Sequence, residues 1–190
     1  VGDQAVGPLA SMGPFPLLTP PPASPTSSGS REPEQLRNYG WPLGGDARIT
    51  DFFSYRDEGF LSVDGRRIHE GIDIASRCGD AIRAAHAGTV IASGRRFGPA
   101  MGFSDSLDRF YARLERRGMY GALPIVVVID DGNGYRSIYV HLKEAIVGKG
   151  DTVKRGQTIG YEGDTGNATG CHLHYEIARM DGGWMSIAKP

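Results

Sequence analysis

The sequence predicts a mainly β domain with one inserted amphipathic helix, and three observations support this fold class. Short runs of β-branched and aromatic residues are separated by many turn-forming residues, among them 28 glycines and 12 prolines in a chain of 190 residues. The segment 171–177 alternates strictly between apolar and polar positions, as a half-buried strand does. Within residues 97–123, by contrast, apolar residues recur at helical spacing.

The composition limits the classes of function. The net charge is −1 with a pI of about 6.6, and no basic patch dominates, so we expect no nucleic-acid partner. No apolar run reaches the roughly 20 residues that a membrane helix requires. Because no charged and then apolar leader follows Val1, we expect a mature or truncated chain without a signal or anchor segment.

The chain divides into a predicted tail and one predicted domain. Residues 1–38 are rich in proline, serine and threonine and show no hydrophobic period, which predicts a flexible linker. An alternative is that the N-terminal part of this tail packs across the domain. The domain is predicted to span residues 39–190, which is long enough for one hydrophobic core.

Runs bounded by glycine and other turn residues predict the strands of the domain. The first strand is expected at 49–55, and a loop or short hairpin follows at 60–67. The other predicted strands lie at 69–74, 81–85, 88–94, 125–129, 135–142, 158–161 and 171–177. Strict alternation along the strand at 135–142 places His141 on the same face as Tyr139.

Residues 97–123 are predicted to form a helical insertion. Four apolar residues recur at the spacing of one helix face, with charged residues between them, and Gly118 is a plausible stop signal. They are Leu107, Phe110, Tyr111 and Leu114. Two interpretations remain open, namely a helix that covers an edge of the sheet and a flap over a substrate groove.

The strand at 171–177 places two imidazoles on one face. His172 and His174 share its polar face with Glu176, while the alternate positions are apolar. The two imidazoles are about 7 Å apart along the strand, and neutral imidazoles that face an open space are a typical beginning of a metal site. We interpret Glu176 as a solvated or supporting carboxylate rather than as a group that acts directly in catalysis.

Three further side chains can complete such a site. His69 and His141 add two imidazoles and Asp73 adds a carboxylate, whereas His86 is interpreted as a solvated turn histidine. On a straight strand His69 and Asp73 would lie about 13 Å apart, but a turn at Gly71 can bring them together. A catalytic zinc takes three protein ligands and leaves the fourth position for water. Spacing alone leaves open which three of the five groups would bind it.

Three short segments match known motifs. Residues 69–73 fit HxGxD, residues 139–142 fit YxHL and residues 172–174 fit HxH. In this order they resemble peptidase family M23, the lysostaphin- and LytM-type zinc endopeptidases of peptidoglycan. The resemblance covers about residues 41–180, and the insertion at 97–123 departs from the compact pattern of the family. It implies an open antiparallel β-sheet domain with a groove and one zinc at the groove floor.

The resemblance also implies roles for the site residues. His69, Asp73 and His174 would bind one Zn²⁺, and His141 and His172 would be an unliganded catalytic pair. An imidazole with a reference pKa of about 6.5 can accept a proton at neutral pH. We assign His172 as the base and His141 as the stabiliser of the intermediate, although the two could be exchanged. The implied substrate is a peptide bond of a peptidoglycan stem peptide or cross-bridge outside the cytoplasm, and we expect a monomer.

The two cysteines allow three interpretations. Cys78 and Cys171 could be buried free thiols, zinc thiolates or a disulfide. The zinc interpretation is weak because Cys171 should point away from His172 and His174 on the same strand. We favour the disulfide, which is typical of extracytoplasmic proteins and would tie together the two segments that follow Asp73 and precede His172.

Two other functions are compatible with the sequence. A non-catalytic member of the family could activate a partner hydrolase or scaffold an assembly of the cell envelope. A zinc hydrolase could also act on other proteins. The presence of all five site residues favours an active peptidoglycan hydrolase.

Overall fold

A computed structural model describes residues 36–55, 61–63, 66–101 and 107–181, and the architecture of these ranges is mainly β. The strands are β1 Arg48–Asp51, β2 Ser54–Tyr55, β3 Leu61–Val63, β4 Arg66–His69, β5 Ile72–Ala75, β6 Ala81–Arg83, β7 Gly88–Gly94, β8 Ile125–Asp130, β9 Tyr135–Leu142, β10 Glu144–Ala145, β11 Thr152–Val153, β12 Thr158–Tyr161 and β13 Leu173–Arg179. The helix α1 spans Asp108–Arg116, and two short 3-10 helices span Gly98–Met101 and Tyr120–Ala122. Within the described ranges, no helix is both long enough and apolar enough to cross a membrane.

Seven strands form one antiparallel sheet. Their order is β1-β5-β13-β9-β8-β7-β11. Two smaller antiparallel sheets have the orders β10-β12-β6 and β2-β4-β3. The antiparallel pairing and the single α-helix in the described ranges confirm the predicted fold class. The strands β5, β13 and β9 lie side by side and carry most of the candidate site.

One face of the large sheet packs against β6 and β12. Ile74, Tyr139 and Leu173 lie on three neighbouring strands and share a core cluster with Ile82 and Ile159. All five side chains are fully buried, and burial of a large apolar side chain contributes about 1.5–3 kcal/mol. This cluster therefore holds β5, β9 and β13 in fixed positions relative to one another.

The opposite face of the large sheet is covered by α1. Tyr111 and Leu114 of this helix join a second core cluster that contains Val128 of β8. The Tyr111 hydroxyl also accepts hydrogen bonds from the backbone N–H groups of Phe97 at 3.2 Å and Gly98 at 3.1 Å. The helix thus packs on the face of the sheet and not over its edge, which was one of the two interpretations left open, and a flap over a substrate groove stays a prediction.

The helix ends at the position that the sequence predicts. Gly118 has a φ of 66°, which glycine adopts without strain. Its N–H donates to the carbonyl of Glu115 at 3.0 Å, and the N–H of Met119 donates to the carbonyl of Leu114 at 2.8 Å. These two bonds close the last turn as a Schellman motif.

The predicted tail at 1–38 and the domain bounds stay predictions. Residues 1–35 and 182–190 lie outside the described residues, as does any packing of the tail across the domain. Just after the predicted tail, the chain is attached to the domain. The Tyr39 hydroxyl donates to Asp131 Oδ2 at 2.8 Å, and the N–H of Gly40 donates to the carbonyl of Ala85 at 2.7 Å.

Candidate active site

Three side chains with metal-binding atoms meet where the end of β4 adjoins β5 and β13 of the large sheet. His69 is the last residue of β4, Asp73 lies in β5, and His174 lies directly opposite Asp73 in β13. His69 Nε2 is 3.0 Å from Asp73 Oδ1 and 3.0 Å from His174 Nδ1, and the latter two atoms are 2.9 Å apart. We call these three residues the ligand cluster. They are the residues that the sequence analysis assigned to zinc.

Gly71 allows the chain to turn between His69 and Asp73. A Cβ atom at this position would lie 2.5 Å from the carbonyl oxygen of Tyr175 and 2.9 Å from His174 Nε2. Such distances are too short for any side chain. The prediction of a turn at Gly71 is confirmed, but the reason for glycine is lack of space, since its φ is not positive.

The ligand cluster suits a small divalent cation. Zinc accepts imidazole nitrogens and carboxylate oxygens, and a tetrahedral zinc with bonds of about 2.0–2.2 Å separates its ligand atoms by roughly 3.3–3.6 Å. The separations of 2.9–3.0 Å in the cluster are slightly shorter. Small outward movements of the three side chains would therefore accommodate the ion.

The electrostatic surroundings of the ligand cluster also favour a cation. Burial alone would raise the pKa of Asp73, but hydrogen bonds with His174 and His69 hold this pKa well below its usual range. Burial alone would lower the pKa of His174, but contacts with Asp73 and Glu176 raise it to about 10. The carboxylates that favour a proton on His174 would equally favour a metal ion at this place.

Two further imidazoles lie beside the ligand cluster. The rings of His141 and His172, which we call the imidazole pair, have centroids 4.7 Å apart. The Nδ1 of His141 lies 2.7 Å from the carbonyl oxygen of Thr165. The Nδ1 of His172 lies 2.9 Å from the carbonyl oxygen of Gly170. Because a carbonyl oxygen only accepts, each Nδ1 carries the proton, and each Nε2 offers a lone pair in the neutral ring.

The two members of the imidazole pair have different surroundings. Burial lowers the pKa of His141 to about 4, against the opposing effect of its hydrogen bond to Thr165. This ring is therefore neutral at pH 7. His172 Nε2, by contrast, lies 3.7 Å from Asp73 Oδ1 of the ligand cluster.

His141 reaches the site through an irregularity in β9 that the sequence analysis did not predict. Strict alternation would place His141 on the face of Tyr139, which is buried in the core on the other side of the sheet. Instead, the register of β8 with β9 shifts across residues 125–127, and His141 has a φ of 68°. This bulge turns its ring towards His174, with centroids 6.2 Å apart. The predicted shared face is wrong, and a strained backbone of this kind is typical of functional sites.

The loop before β13 supplies both carbonyl groups and is itself fixed. Thr165 Oγ1 accepts a hydrogen bond from the N–H of Ile125 at 2.9 Å and donates to the carbonyl of Leu142 at 2.6 Å. Gly166 has a φ of 83°, and a Cβ atom there would lie 2.8 Å from Pro124. The loop therefore has little freedom to change the positions of its carbonyl oxygens.

The turn that carries Cys78 is tied to the same region of the chain. The sulfur atoms of Cys78 and Cys171 lie within bonding distance and their Cα atoms are 5.4 Å apart, which suits the predicted disulfide. The fully buried carboxylate of Glu162 accepts hydrogen bonds from the N–H of Ser76 at 3.0 Å and from its hydroxyl at 2.6 Å. Both ties join the end of β5 to the approach to β13.

Sequence reasoning missed three contributors to this site. The carbonyl groups of Thr165 and Gly170 belong to the backbone, and no side-chain pattern points to them. Glu162 directly follows the buried strand β12, and a carboxylate in that place was an available signal. His86 stacks on Tyr39 with ring centroids 4.8 Å apart and lies outside the cluster, as interpreted.

Comparison with known protein families shows to which family the chain belongs. The sequence profile of peptidase family M23 matches residues 67–185, which is more than half of the chain. The chain belongs to peptidase family M23. The matched region contains the ligand cluster, the imidazole pair and the loop between them.

Two curated relatives of this M23 chain are named as endopeptidases, and one of the two names includes peptidoglycan. The DD-carboxypeptidase/endopeptidase Mpg of Neisseria meningitidis serogroup B is 34% identical over 135 residues, which are 71% of this chain and 25% of Mpg. The peptidoglycan DD-endopeptidase ShyA of Vibrio cholerae is 55% identical over 51 residues, which are 27% of this chain and 12% of ShyA. The chain thus spans a quarter or less of the length of these relatives.

A solved structure of a zinc-containing peptidase from Vibrio cholerae resembles the fold of this M23 chain. The TM-score is 0.56 at 25% sequence identity, and the likeness covers 81% of this chain and 41% of that one. The structure of LytU gives a TM-score of 0.51 at 27% identity, with coverage of 85% and 88%. These likenesses agree with the antiparallel β architecture described above.

Proposed function

We propose that this chain is a zinc-dependent metalloendopeptidase that hydrolyses peptide bonds in peptidoglycan stem peptides or cross-bridges. One observation carries the proposal. Three ligand-type atoms converge within 3.0 Å of one another beside two imidazoles whose Nε2 atoms can accept a proton. Membership of family M23 and the names of Mpg and ShyA support the reaction and the class of substrate.

In this proposal His69, Asp73 and His174 hold a single Zn²⁺. When bound, zinc supplies a Lewis acid that polarises a peptide carbonyl and lowers the pKa of water towards about 7. One of the three ligands, His69, is already held in the tautomer that zinc binding requires. The carbonyl oxygen of Phe52 lies 3.0 Å from His69 Nδ1 and fixes the proton there, so that His69 Nε2 faces the cluster with its lone pair.

The imidazole pair moves the protons of the reaction. His172 accepts the proton of the attacking water at Nε2, because its Nδ1 already donates to the carbonyl of Gly170 and its Nε2 carries a free lone pair 3.7 Å from Asp73 Oδ1. His141, which burial keeps neutral, first accepts a hydrogen bond from that water and orients it. The proton that His172 takes from the water then passes to His141 Nε2, which donates it to the negative oxygen of the tetrahedral intermediate or to the departing amine, and both imidazoles end neutral.

We further propose an extracytoplasmic location and a monomer. A disulfide between Cys78 and Cys171 forms and persists in an oxidising compartment, where peptidoglycan is also accessible. Residues 1–38 would then serve as a tether for the peptidase domain.

Removal and return of zinc test this function. The protein is stripped with a chelator, and release of dye from labelled peptidoglycan is measured before and after addition of zinc. We expect hydrolysis to fall by at least about 10³-fold without the metal and to return with one zinc per chain. A glycine-rich peptide and an unrelated folded protein serve as alternative substrates.

Two results would contradict the proposal. Undiminished hydrolysis by the stripped protein would exclude a zinc mechanism. A chain that holds one zinc but releases no dye from any peptidoglycan would instead support the non-catalytic module.

A further inference from the structure

Glu176 lies behind the ligand cluster, in contact with one of its histidines. It follows His174 by two residues on β13 and shares its face of the strand. Its Oε1 lies 3.0 Å from His174 Nε2, and both residues are buried, with exposures of 5% and 7%. The other ring nitrogen, His174 Nδ1, lies 2.9 Å from Asp73 Oδ1. The imidazole of His174 is therefore held between two carboxylates.

A second cation site is the first alternative for this arrangement. Glu70, His174 and Glu176 are all buried, and their ligand-type atoms lie within 4.8 Å of one another. The backbone of Gly71 occupies the adjacent space, since a Cβ there would lie 2.9 Å from His174 Nε2 and 2.8 Å from Glu176 Cγ. The hydrogen bond from Nε2 to Glu176 also uses the nitrogen that a second ion would need. We therefore assign no cation to this region.

The charge of Glu176 has a nearby counterpart on the neighbouring strand. Glu176 pairs with Ile138 and Arg136 pairs with Ala178, so the two charged side chains are diagonal neighbours on one face of the sheet. Arg136 is 3% exposed, and its charge is attracted by that of Glu176. The carboxylate of Glu176 that contacts His174 thus lies on a face of the sheet that also carries a cationic side chain.

We propose that Glu176 is a positioning residue that fixes the ring orientation and the tautomer of His174. By accepting the Nε2–H of His174, it leaves Nδ1 without a proton and directed at the centre of the ligand cluster. Metal-binding histidines commonly donate their second N–H to such a partner, whose removal weakens metal binding about 10- to 100-fold. This inference rests on the proposed zinc function, but its test does not depend on hydrolysis.

The test compares Glu176→Ala with Glu176→Gln in the full chain. Zinc affinity is measured by competition with a chromogenic chelator, after a thermal melt has established that each variant is folded. We expect Glu176→Ala to weaken zinc binding about 10- to 100-fold. Glu176→Gln should weaken it less, because the amide oxygen still accepts from His174 Nε2. If the alanine variant does not fold, the test uses the zinc affinity of the glutamine variant and an NMR spectrum that locates the proton on the His174 ring.

A buried carboxylate remote from zinc provides the matched control. Asp131 Oδ2 accepts hydrogen bonds from the hydroxyls of Tyr39 at 2.8 Å and Ser137 at 2.9 Å. Asp131 lies before the start of β9, whereas His141 lies near the end of this strand. Asp131→Asn should leave zinc affinity unchanged even if it lowers the melting temperature. Long-range ¹H–¹⁵N spectra of the zinc-loaded parent protein should show the proton of His174 on Nε2.

Each outcome decides between the proposals. Zinc affinity in both Glu176 variants that equals the parent value, or a His174 proton on Nδ1, overturns the positioning role while the proposed peptidase stands. Equal losses in the alanine and glutamine variants overturn the role of the carboxylate oxygen as an acceptor. A parent chain that binds no zinc overturns the positioning role and the proposed function together.

Discussion

The two halves of the candidate site are positioned by different parts of the fold. The ligand cluster stands on paired strands, with Asp73 directly opposite His174 and their side chains 2.9 Å apart. The imidazole pair depends on backbone carbonyl groups of a loop, which accept from the Nδ1 atoms of His141 and His172. One half is fixed by sheet register, and the other by the conformation of a connection between strands.

This difference separates metal binding from proton transfer. Paired strands in a packed core open only at a high free energy, whereas loops open locally at a lower one. Disturbance of the loop should therefore affect the imidazole pair and leave the ligand cluster in place. Disturbance of β5 or β13 should displace the ligand cluster and weaken zinc binding. Hydrolysis by the imidazole pair should then be lost as well, because the proposed reaction requires zinc.

The largest effect is expected from loss of a ligand on the strand side. Asp73→Ala removes the only carboxylate of the ligand cluster and leaves His69 and His174 without their shared partner. We expect stoichiometric zinc binding and hydrolysis of labelled peptidoglycan both to fall to background. Metal analysis of the purified variant and dye release measure the two losses. Asp46→Ala, at an exposed residue, is the control and should change neither.

The next largest effect is expected from the loop side. His141→Ala and His172→Ala each remove a proton-transfer group but no ligand, so zinc content should stay at one per chain. Hydrolysis should fall about 10²- to 10⁴-fold, the usual contribution of general acid–base catalysis. His86→Ala controls for the loss of an imidazole outside the site. Full activity in both variants with zinc bound would refute the proposed proton transfer.

The sequence predicted the strand side of the site better than the loop side. Asp73 and His174 meet on one face of paired strands, and the turn at Gly71 joins His69 to Asp73, as expected. The position of His141 could not be predicted, because a bulge is set by pairing between strands and leaves no mark in the alternation of one strand. Backbone carbonyl groups are equally invisible, since every residue has one.

A pair of glycine substitutions sharpens the comparison. Gly71→Ala places a methyl group against the strand side, 2.9 Å from His174 Nε2, whereas Gly166→Ala places one against Pro124 on the loop side. Either change should cost about 1–3 kcal/mol of folding free energy. We expect Gly71→Ala to weaken zinc binding about 10- to 100-fold. Gly166→Ala should slow hydrolysis by a similar factor through misplaced imidazoles, with zinc affinity preserved.

The control for this pair is Gly44→Ala, because a Cβ at Gly44 meets nothing within 4 Å and φ there is not positive. Zinc affinity from chelator competition and the rate of dye release are measured for all three variants. If Gly166→Ala weakened zinc as much as Gly71→Ala does, the two halves would not be independent and the comparison would fail.

The smallest effect on hydrolysis is expected from the connection between the two halves. Cys78 follows β5 on the strand side and Cys171 precedes β13 at the end of the loop, 93 positions apart in sequence. Loop entropy gives a disulfide across such a span about 4–5 kcal/mol of stability. Cys171→Ser should therefore lower the melting temperature markedly. Reductant should do the same to the parent protein, and a melting temperature that reductant leaves unchanged would argue against the bond.

Hydrolysis well below the melting temperature should respond less to Cys171→Ser than to the glycine substitutions, because a second tie remains. The carboxylate of Glu162 still holds the N–H and the hydroxyl of Ser76 in the variant, at the same junction that the disulfide spans. We expect the rate of dye release to change by less than about threefold in Cys171→Ser, with zinc bound slightly less tightly. Adding Ser76→Ala to this variant removes the hydroxyl bond as well and should lower both stability and rate further. A full loss of hydrolysis in Cys171→Ser alone, at a temperature where the protein is folded, would mean that the disulfide itself positions His172.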